Sequence, residues 1–343
     1  GDTAQELSTN HSPLSTLWER VFSRRMKCAA RMKELEEANN RLFIKAYGLE
    51  DELKPDVAWK DVSLTGNPFY RYKVDATDAA VAGTDADATS ASLPMRVPPE
   101  WTARACADAM RELISYGIGC LMGRYSLAKE GLILASQGET VADYWKKVGE
   151  AAVAGRPPYP VDDDGIIPLV SGETAFTDNA PQRIVDFIRV AFGEENLTAN
   201  LNFIEATLGL PLEDYLTKEF WNDHKRMYKN RPIYWLFRSK KGAFQALVYL
   251  HRMDAYTVSK IRNAYLLPHI EFLRGRIAAE SARGAELTAK ERARLKKMQQ
   301  AMDECLEYEG RLHVVADRME AIDLDDGVLA NYAKFGDVLA KLK

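Results

Sequence analysis

The sequence predicts a mainly α-helical fold with a small β component (α+β). Apolar residues recur every three to four positions through most of the chain, and one stretch rich in β-branched and aromatic residues, 232–251, has the pattern of a β-hairpin. The chain has 343 residues, of which 46% are hydrophobic and 28% charged. A chain of this size and composition holds two or three domains with a buried core.

The first predicted element is a long helix. Ser12 and Pro13 are typical of a helix start, apolar residues then recur at helical spacing as far as Tyr47, and Gly48 supplies a stop. A helix of about 35 residues is longer than most packed helices. We therefore expect residues 1–50 to form a connector helix that leads from an upstream domain.

Residues 51–252 are predicted to form a helical body. Within it, residues 74–92 consist almost entirely of Ala, Asp, Thr and Ser, which bury too little apolar surface to offset the entropy of ordering, so we expect a flexible surface loop there. Residues 157–170 indicate a loop, an acidic turn and a short strand. The predicted helices of the body are 101–121, 136–152, 179–192, 196–208 and 211–229.

The hairpin 232–251 closes the body. Its strands are predicted at 232–237 and 243–251, because both are rich in Ile, Tyr, Trp, Phe and Val. Lys240, Lys241 and Gly242 form the connection between them. We expect the paired strands to hold the residues of this tip in fixed positions.

Residues 253–343 are predicted to form a C-terminal helical bundle. Two long helical patterns, 254–282 and 288–322, are separated by a short break at Gly284, so they are expected to pack as an antiparallel pair. Pro268 should kink the first of them. The chain then ends in a tail that we expect to dock on the body through Leu329, Tyr332, Phe335 and Leu339.

Composition excludes several classes of protein. No apolar run approaches the roughly 18 residues that span a bilayer, and the first residues lack a signal-peptide pattern. We therefore expect a soluble, cytoplasmic protein without a membrane partner. The four cysteines lie far apart and lack metal-site spacing, so we expect reduced thiols and no bound metal.

Three short motifs approach known sites without completing them. Residues 67–70, Asn-Pro-Phe-Tyr, approach the N/D-P-P-Y/F loop of amino methyltransferases but lack its second proline. The glycine-rich residues 117–123 follow a helical pattern rather than the strand that a nucleotide-binding loop requires. Residues 162–165, Asp-Asp-Asp-Gly, lack the alternating acids of a calcium loop, which favours a turn. We therefore predict no catalytic residue in this chain.

Positive charge is concentrated in one segment. Between Lys218 and Lys241 there are eight Lys and Arg residues and two acids, whereas the net charge of the whole chain is −4. Cations with interleaved aromatic residues are typical of surfaces that bind phosphates and contact bases. The predicted DNA-binding residues are Lys225, Arg226, Lys229, Arg231, Tyr234, Arg238, Ser239, Lys240 and Lys241. The competing interpretation is a solvated helix face followed by a core strand.

A second basic stretch lies further along the chain. Lys290, Arg294 and Lys297 fall within two turns of one predicted helix. They form a secondary candidate for DNA binding, and a solvated helix face explains the same pattern. In the first segment, Arg238 is the candidate for reading a base, since it ends a strand at the edge of the hairpin tip.

Six stretches are long and specific enough to compare with known families. They are NNRLFIKAYGLEDEL (39–53), LTGNPFYRY (64–72), ISYGIGCLMGRYSL (114–127), DDDGIIPL (162–169), HKRMYKNRPIYWLFRSKKGAFQALVYLHR (224–252) and DDGVLANYAKFGDVL (325–339). In this order they resemble the C-terminal part of the BREX (bacteriophage exclusion) adenine-specific DNA methyltransferases. The resemblance covers essentially the whole chain.

The resemblance implies a role for the complete enzyme. It implies methylation of adenine N6 at a short non-palindromic site, which marks host DNA and serves phage defence together with other BREX proteins. It also implies that the S-adenosylmethionine pocket and the true NPPY loop lie in an upstream methyltransferase domain. On this reading the present chain has no cofactor of its own and is inactive alone.

Two functional hypotheses follow. In the first, residues 51–252 are a target-recognition region that binds double-stranded DNA and positions it for the upstream methyltransferase domain. In the second, the chain is a protein-interaction scaffold, in which the long helices bind other BREX proteins or a phage inhibitor. A DNA-mimicking inhibitor would use the same cations as DNA, so inhibitor binding alone does not separate the two hypotheses.

Overall fold

Helices form most of the molecule around a small sheet, which confirms the predicted fold class. The structure is a computed structural model that describes residues 12–75, 97–153 and 159–342. The helices are α1 (Leu14–Tyr47), α2 (Pro68–Tyr72), α3 (Pro99–Leu121), α4 (Val141–Val153), α5 (Ala180–Phe192), α6 (Leu197–Leu208), α7 (Leu212–Asp214), α8 (Phe220–Met227), α9 (Thr257–Lys260), α10 (Leu267–Ala282), α11 (Ala289–Asp317) and α12 (Val328–Ala333). The strands are β1 (Ile166–Pro168), β2 (Tyr234–Arg238) and β3 (Gln245–Tyr249).

Helix α1 is packed along its first half and exposed along its second. Its buried residues extend from Leu14 to Ala29, and Asn200 on α6 accepts a hydrogen bond from the Leu14 N–H at 2.8 Å. Beyond this half, Leu42 is 70% exposed and Tyr47 is 72% exposed. The predicted limits of this helix are confirmed, including the left-handed Gly48 at its end, although Pro13 lies just before the first helical residue.

The sheet is antiparallel and has the strand order β1-β3-β2. Strand β3 is central and buried at every position, and it pairs with β2 from Tyr234 opposite Tyr249 to Arg238 opposite Gln245. The hairpin is confirmed, but its pairing with β1 into a three-stranded sheet was not predicted. A period-two pattern gives no partner for a three-residue strand.

Helix α4 begins at Val141, five residues later than the predicted start at 136. The residues before it form a loop instead, because the Glu139 carboxylate accepts hydrogen bonds from the N–H groups of Ala135 and Ser136 at 2.7 and 2.8 Å. Satisfying these N–H groups locally replaces the hydrogen bonds of a helical turn.

Two of the helical rods contain a π-helical segment. Tyr215–Glu219 joins α7 to α8, and Ile261–Leu266 joins α9 to α10 immediately ahead of Pro268. The helices predicted at 211–229 and 254–282 are thus present as composite rods. Proline has no N–H to donate, and the wider π turn lies where a regular helix would otherwise lose a hydrogen bond.

The C-terminal helices pack against each other as predicted. Helices α10 and α11 are joined by a short turn, and α11 starts with a capping box between Thr288 and Glu291. Helix α11 ends at Asp317 rather than at the predicted 322.

The final tail docks on the edge of β2. The Ala340 N–H donates to the Leu236 carbonyl at 2.8 Å, and Tyr332, Phe335 and Leu339 are buried as predicted. Leu329 is 51% exposed, so its predicted docking role is wrong.

Most of the predicted surface loop 74–92 lies outside the described residues, as do the first two residues, 157 and 158, of the next predicted loop. Within the described part of the chain, none of the helices has both the length and the apolar character that crossing a bilayer requires.

Candidate nucleic-acid interface

The fold splits the predicted DNA-binding segment into two groups. Lys225, Arg226, Lys229 and Arg231 precede β2, whereas Arg238 is its last residue and the tip residues follow it. Strand residues rise about 3.3 Å each, so the two ends of β2 lie roughly 13 Å apart. The contiguous charge of the sequence is therefore divided between two places on the molecule.

The first group lies around a left-handed turn after α8. Lys229 has φ of 51° and Asn230 has φ of 59°, and the Asn230 N–H closes the helix end by donating to the Lys225 carbonyl at 2.8 Å. A non-glycine residue in the left-handed backbone conformation destabilises the fold by on the order of 1–3 kcal/mol, and such residues cluster at functional sites. The turn leaves the side chains of Lys229 and Arg231 exposed.

The second group is the hairpin tip, which helix α11 clasps through one carboxylate. Glu304 accepts hydrogen bonds from the Ser239 hydroxyl at 2.5 Å, from the Lys241 N–H at 2.6 Å and from the Ala243 N–H at 3.2 Å. The side chains of Lys240 and Lys241 remain exposed. The tip is thus a fixed element with two outward lysines.

Two of the predicted binding residues are not on the surface. Tyr234 and Ser239 are each 1% exposed. The Tyr234 ring stacks on the His224 ring, with 4.8 Å between the ring centroids. The backbone N–H of Tyr234 donates a hydrogen bond to His224 Nε2 at 3.1 Å. Burial, followed by the charge of Arg124, lowers the pKa of His224 to about 3, which keeps the imidazole neutral as the acceptor. Tyr234 and Ser239 are therefore buried, and their side chains contact other residues of the protein.

Arg238 is only half exposed and already has a partner. Its Nε donates to Gln245 Oε1 across the strand pair at 2.9 Å. A Cβ added at Gly242 would lie 3.0 Å from the Arg238 guanidinium, so the guanidinium covers the glycine of the tip. Reading a base with this side chain would require it to leave Gln245.

The secondary candidates lie on the exposed side of α11. Lys290 and Lys297 are exposed, and Arg294 forms an ion pair with Glu173 at 3.0 Å. Glu173 also pairs with Arg276 on α10 at 2.8 Å. Arg294 therefore helps to link the pair of helices α10 and α11 to the body through its ion pair with Glu173.

A further concentration of positive charge lies in a cleft that the sequence did not reveal. This cation cleft has a volume of about 1120 Å³ and lies between α1, α2, α3 and α8. Six cationic side chains and three carboxylates line it, together with six tyrosines. The cations are Arg25, Arg71, Lys73, Arg104, Arg111 and Arg226, of which only Arg226 was predicted.

The short helix α2 brings part of the Asn-Pro-Phe-Tyr motif to the cleft. Asn67 is fully buried, accepts the Phe69 N–H at 3.1 Å, and donates to the carbonyls of Trp59 and Val62. Its amide is thus committed to starting the helix. The same helix presents Arg71 at the cleft wall.

Ion pairs fix the walls of the cleft to one another. Arg71 of α2 pairs with Asp108 and Glu112 of α3 at 3.1 and 2.9 Å. Arg111 of α3 pairs with Asp223 of α8 at 3.1 Å. All three carboxylates that line the cleft thus form ion pairs that join its walls. Because six cations line the same cleft, an excess of positive charge remains.

Lys73 and Arg104 are the cations most available to a ligand. The Lys73 ammonium lies 4.1 Å from the ring centroid of Tyr70, and the Arg104 guanidinium lies 4.3 Å from that of Tyr72. Among the described residues, no carboxylate forms an ion pair with either cation. Cation–π contacts hold such groups in place without neutralising their charge.

The inner wall of the cleft consists of tyrosine rings packed on a helix glycine. A Cβ at Gly119 would lie 2.4 Å from the Tyr125 ring and 3.1 Å from the Tyr234 hydroxyl. The glycines of 117–123 thus leave room for neighbouring side chains to pack against the helix backbone. Phe187 packs in this way on Gly117. Burial raises the pKa of the Tyr228 phenol further above its ordinary value.

The acidic residues 162–165 form a turn, as favoured from the sequence. Asp162 Oδ1 accepts the N–H groups of Asp164, Gly165 and Ile166 at 3.2, 2.7 and 3.2 Å. Within 12–75, 97–153 and 159–342, no cluster of three potential metal ligands is present.

Two curated proteins are similar to this chain. The chain is 41% identical over 256 residues to the adenine-specific methyltransferase BrxX of Escherichia coli O9:H4 (strain HS), a match that covers 69% of the chain and 21% of that protein. It is 34% identical over 319 residues to the adenine-specific methyltransferase PglX of Lacticaseibacillus casei (strain Zhang), which covers 88% of the chain and 22% of that protein. No protein-family model matches the chain.

These similarities make the chain a relative of adenine-specific methyltransferases. Over the aligned residues it belongs to the BREX family of BrxX and PglX, which confirms the resemblance seen in the sequence. The chain spans about a fifth of the length of either relative.

Proposed function

We propose that this chain is the DNA-recognition part of a BREX adenine-N6 DNA methyltransferase that serves phage defence. It binds double-stranded DNA and positions the target site for the catalytic part of the complete enzyme, which holds S-adenosylmethionine. The observation that carries the proposal is the cation cleft, with its six cationic side chains against three carboxylates that are already paired within the protein.

The cleft has the chemistry of a phosphate-binding surface. A protein that neutralises phosphates with Lys and Arg releases counterions from DNA, and this release supplies most of the sequence-independent affinity. Lys73 and Arg104 suit this role because aromatic rings, rather than carboxylates, hold them in place. The exposed Lys229 and Arg231 extend the positive surface from Arg226 along the left-handed turn.

Replacing both Lys73 and Arg104 with Ala tests the proposal. The chain should bind a DNA duplex more weakly, and the slope of log affinity against log salt concentration should fall by about 2, since each lost phosphate contact removes about 0.9. Fluorescence anisotropy with a labelled duplex, measured over a range of salt concentrations, gives both quantities.

Two further pairs of variants complete the experiment. Lys54 and Lys146 are exposed and lie outside the cleft, so replacing both with Ala is the matched control and should leave the slope unchanged. Replacing Lys240 and Lys241 with Ala measures the contribution of the hairpin tip. A wild-type slope for the cleft pair would contradict a role of the cleft in DNA binding.

A second candidate function is a protein-interaction scaffold within the BREX system. The observation that favours it is the exposed apolar surface on the second half of α1, formed by Leu35, Leu42, Phe43 and Tyr47. Other BREX proteins, a phage inhibitor or the methyltransferase domain of the complete enzyme are the candidate partners of that surface. Unchanged salt slopes for both the cleft pair and the tip pair would favour this function over DNA recognition.

A further inference from the structure

The inner wall of the cation cleft offers aromatic faces as well as charge. Tyr125 and Tyr228 are half-buried and line the cleft. Tyr125 is supported by Gly119 and by Tyr116, whose ring centroid lies 5.2 Å away, and Tyr228 is supported by the His224 ring at 4.8 Å. Each ring is thus fixed from behind and borders the open space of the cleft.

The size of the cleft restricts what reaches this wall. Pockets of roughly 300–1,000 Å³ enclose ligands of drug-like size, and the cleft is of the same order at about 1120 Å³. One or a few nucleotides fit such a space, whereas an intact duplex presents only its backbone to the rim. A bound duplex would therefore contact the cations at the rim but would not contact the tyrosine rings of the inner wall.

We infer that the cation cleft binds unpaired nucleotides of a DNA strand, with bases stacked on Tyr125 and Tyr228 and phosphates held by Lys73 and Arg104. This inference rests on the proposed DNA binding and names the form of DNA that the cleft takes. Stacking platforms combined with a cationic groove are the usual means of holding single strands, because every base has a face to stack.

An acidic peptide is the other macromolecule that would be attracted to the rim. Its carboxylates would pair with Lys73 and Arg104, but its side chains would gain little from flat aromatic faces. The tyrosine wall therefore favours nucleotides over an acidic peptide.

The experiment compares three DNA probes on the chain. They are a short oligothymidine strand, a duplex with one extrahelical 2-aminopurine nucleotide, and the same duplex fully paired. We expect the two probes with unpaired bases to bind more tightly than the paired duplex, and the fluorescence of 2-aminopurine to be quenched on binding. Both readouts use the wild-type chain and do not depend on the folding of a variant.

Tyrosine variants then locate the stacking. Tyr228→Ala should weaken binding of the probes with unpaired bases by about ten-fold and leave the paired duplex unchanged, because only the former lose a stacked base. Tyr228→Phe should bind like the wild type, since it keeps the ring. Tyr256→Ala is the matched control, because Tyr256 is exposed and does not line the cleft. Circular dichroism checks that each variant is folded.

The outcomes separate this inference from the proposed function. Equal affinity for paired and unpaired probes, or equal losses for both in Tyr228→Ala, would overturn the inference while leaving duplex recognition intact. Displacement of the oligothymidine strand by a polyglutamate peptide at an equal concentration of negative charges would also overturn it. Binding of none of the three probes would overturn the inference and the proposed function together.

Discussion

At the scale of single residues, Asp162 sets a pH dependence of stability. Burial, and then the nearby charge of Asp164, raise its pKa to about 7 from an ordinary value of 3.8. Because the folded state prefers the protonated form, the stabilising contribution is complete below about pH 4 and is lost as the pH rises toward 7. Ionisation of the Asp162 carboxyl therefore lowers the free energy of unfolding, whereas the protonated carboxyl does not.

Asp162→Asn should remove this cost. All three N–H groups of the turn bond to the same oxygen, which an asparagine amide supplies equally well. We expect the free energy of unfolding at pH 8 to rise by on the order of 2 kcal/mol, with a clearly smaller gain at pH 5, where only part of the stabilising contribution has been lost. Urea denaturation at both pH values measures it. Asp163→Asn is the control at an exposed neighbour, and a gain of equal size at pH 5 would contradict the assignment.

The sequence pointed to only some of the residues of the candidate interface, for a physical reason. Arg226, Lys229 and Arg231 belong to a local run of charge that is visible in any short window. Arg104 and Lys73 acquire significance only through the rings of Tyr72 and Tyr70 beside them. Conversely, charge pattern gave no warning that Tyr234 and Ser239 are buried, since burial depends on helices that are distant in sequence.

At the scale of elements, the clasp between α11 and the hairpin tip controls how firmly the tip is held. Glu304→Ala removes the common acceptor of the Ser239 hydroxyl and of the Lys241 and Ala243 N–H groups. We expect a loss of about 1–3 kcal/mol in the free energy of unfolding. Amide hydrogen exchange at 241–243 should accelerate, while exchange in the central strand β3 should change much less. Urea denaturation and hydrogen-exchange mass spectrometry measure the two effects.

Asp303→Ala is the neighbouring control, because Asp303 is exposed on the same helix. Equal exchange rates at the tip in the wild type and in Glu304→Ala would show that the strand pairing alone fixes the hairpin.

Element limits were predictable where local chemistry decides them. Gly48 ends α1 and Gly209 ends α6 in left-handed conformations, as the sequence indicated. The start of α4 was missed because a single carboxylate, Glu139, satisfies two N–H groups outside the helix. The partner of the three-residue strand β1 depends on tertiary packing, which a period-two pattern does not contain.

At the scale of the whole molecule, the cleft joins segments that are far apart in the chain. Residues from α1, α2, α3 and α8 line it, so its charge excess exists only after folding. The family and the fold class could be predicted from the sequence, whereas the cleft could not, because a linear charge pattern does not bring these segments together. The ion pairs of Arg71 and Arg111 link three of these four helices, α2, α3 and α8.

The isolated chain should show no affinity for S-adenosylmethionine. The glycines of 117–123 that a nucleotide loop would use lie in or just after α3 and are filled by neighbouring side chains, such as Tyr125 at Gly119. Isothermal titration calorimetry checks this expectation, with a complete methyltransferase as the positive control. Saturable binding of the cofactor would contradict the proposal that this chain serves DNA recognition alone.

Strand β2 sets the spacing between two groups of exposed cations. The turn at Lys229 and the tip at Lys241 lie at its opposite ends, which are roughly 13 Å apart. A DNA strand advances about 3.4 Å per nucleotide, so this separation corresponds to about four base pairs. If one duplex meets both ends, a footprint would consist of two protected patches about four base pairs apart, and lengthening the strand by two residues would move them about two base pairs further apart.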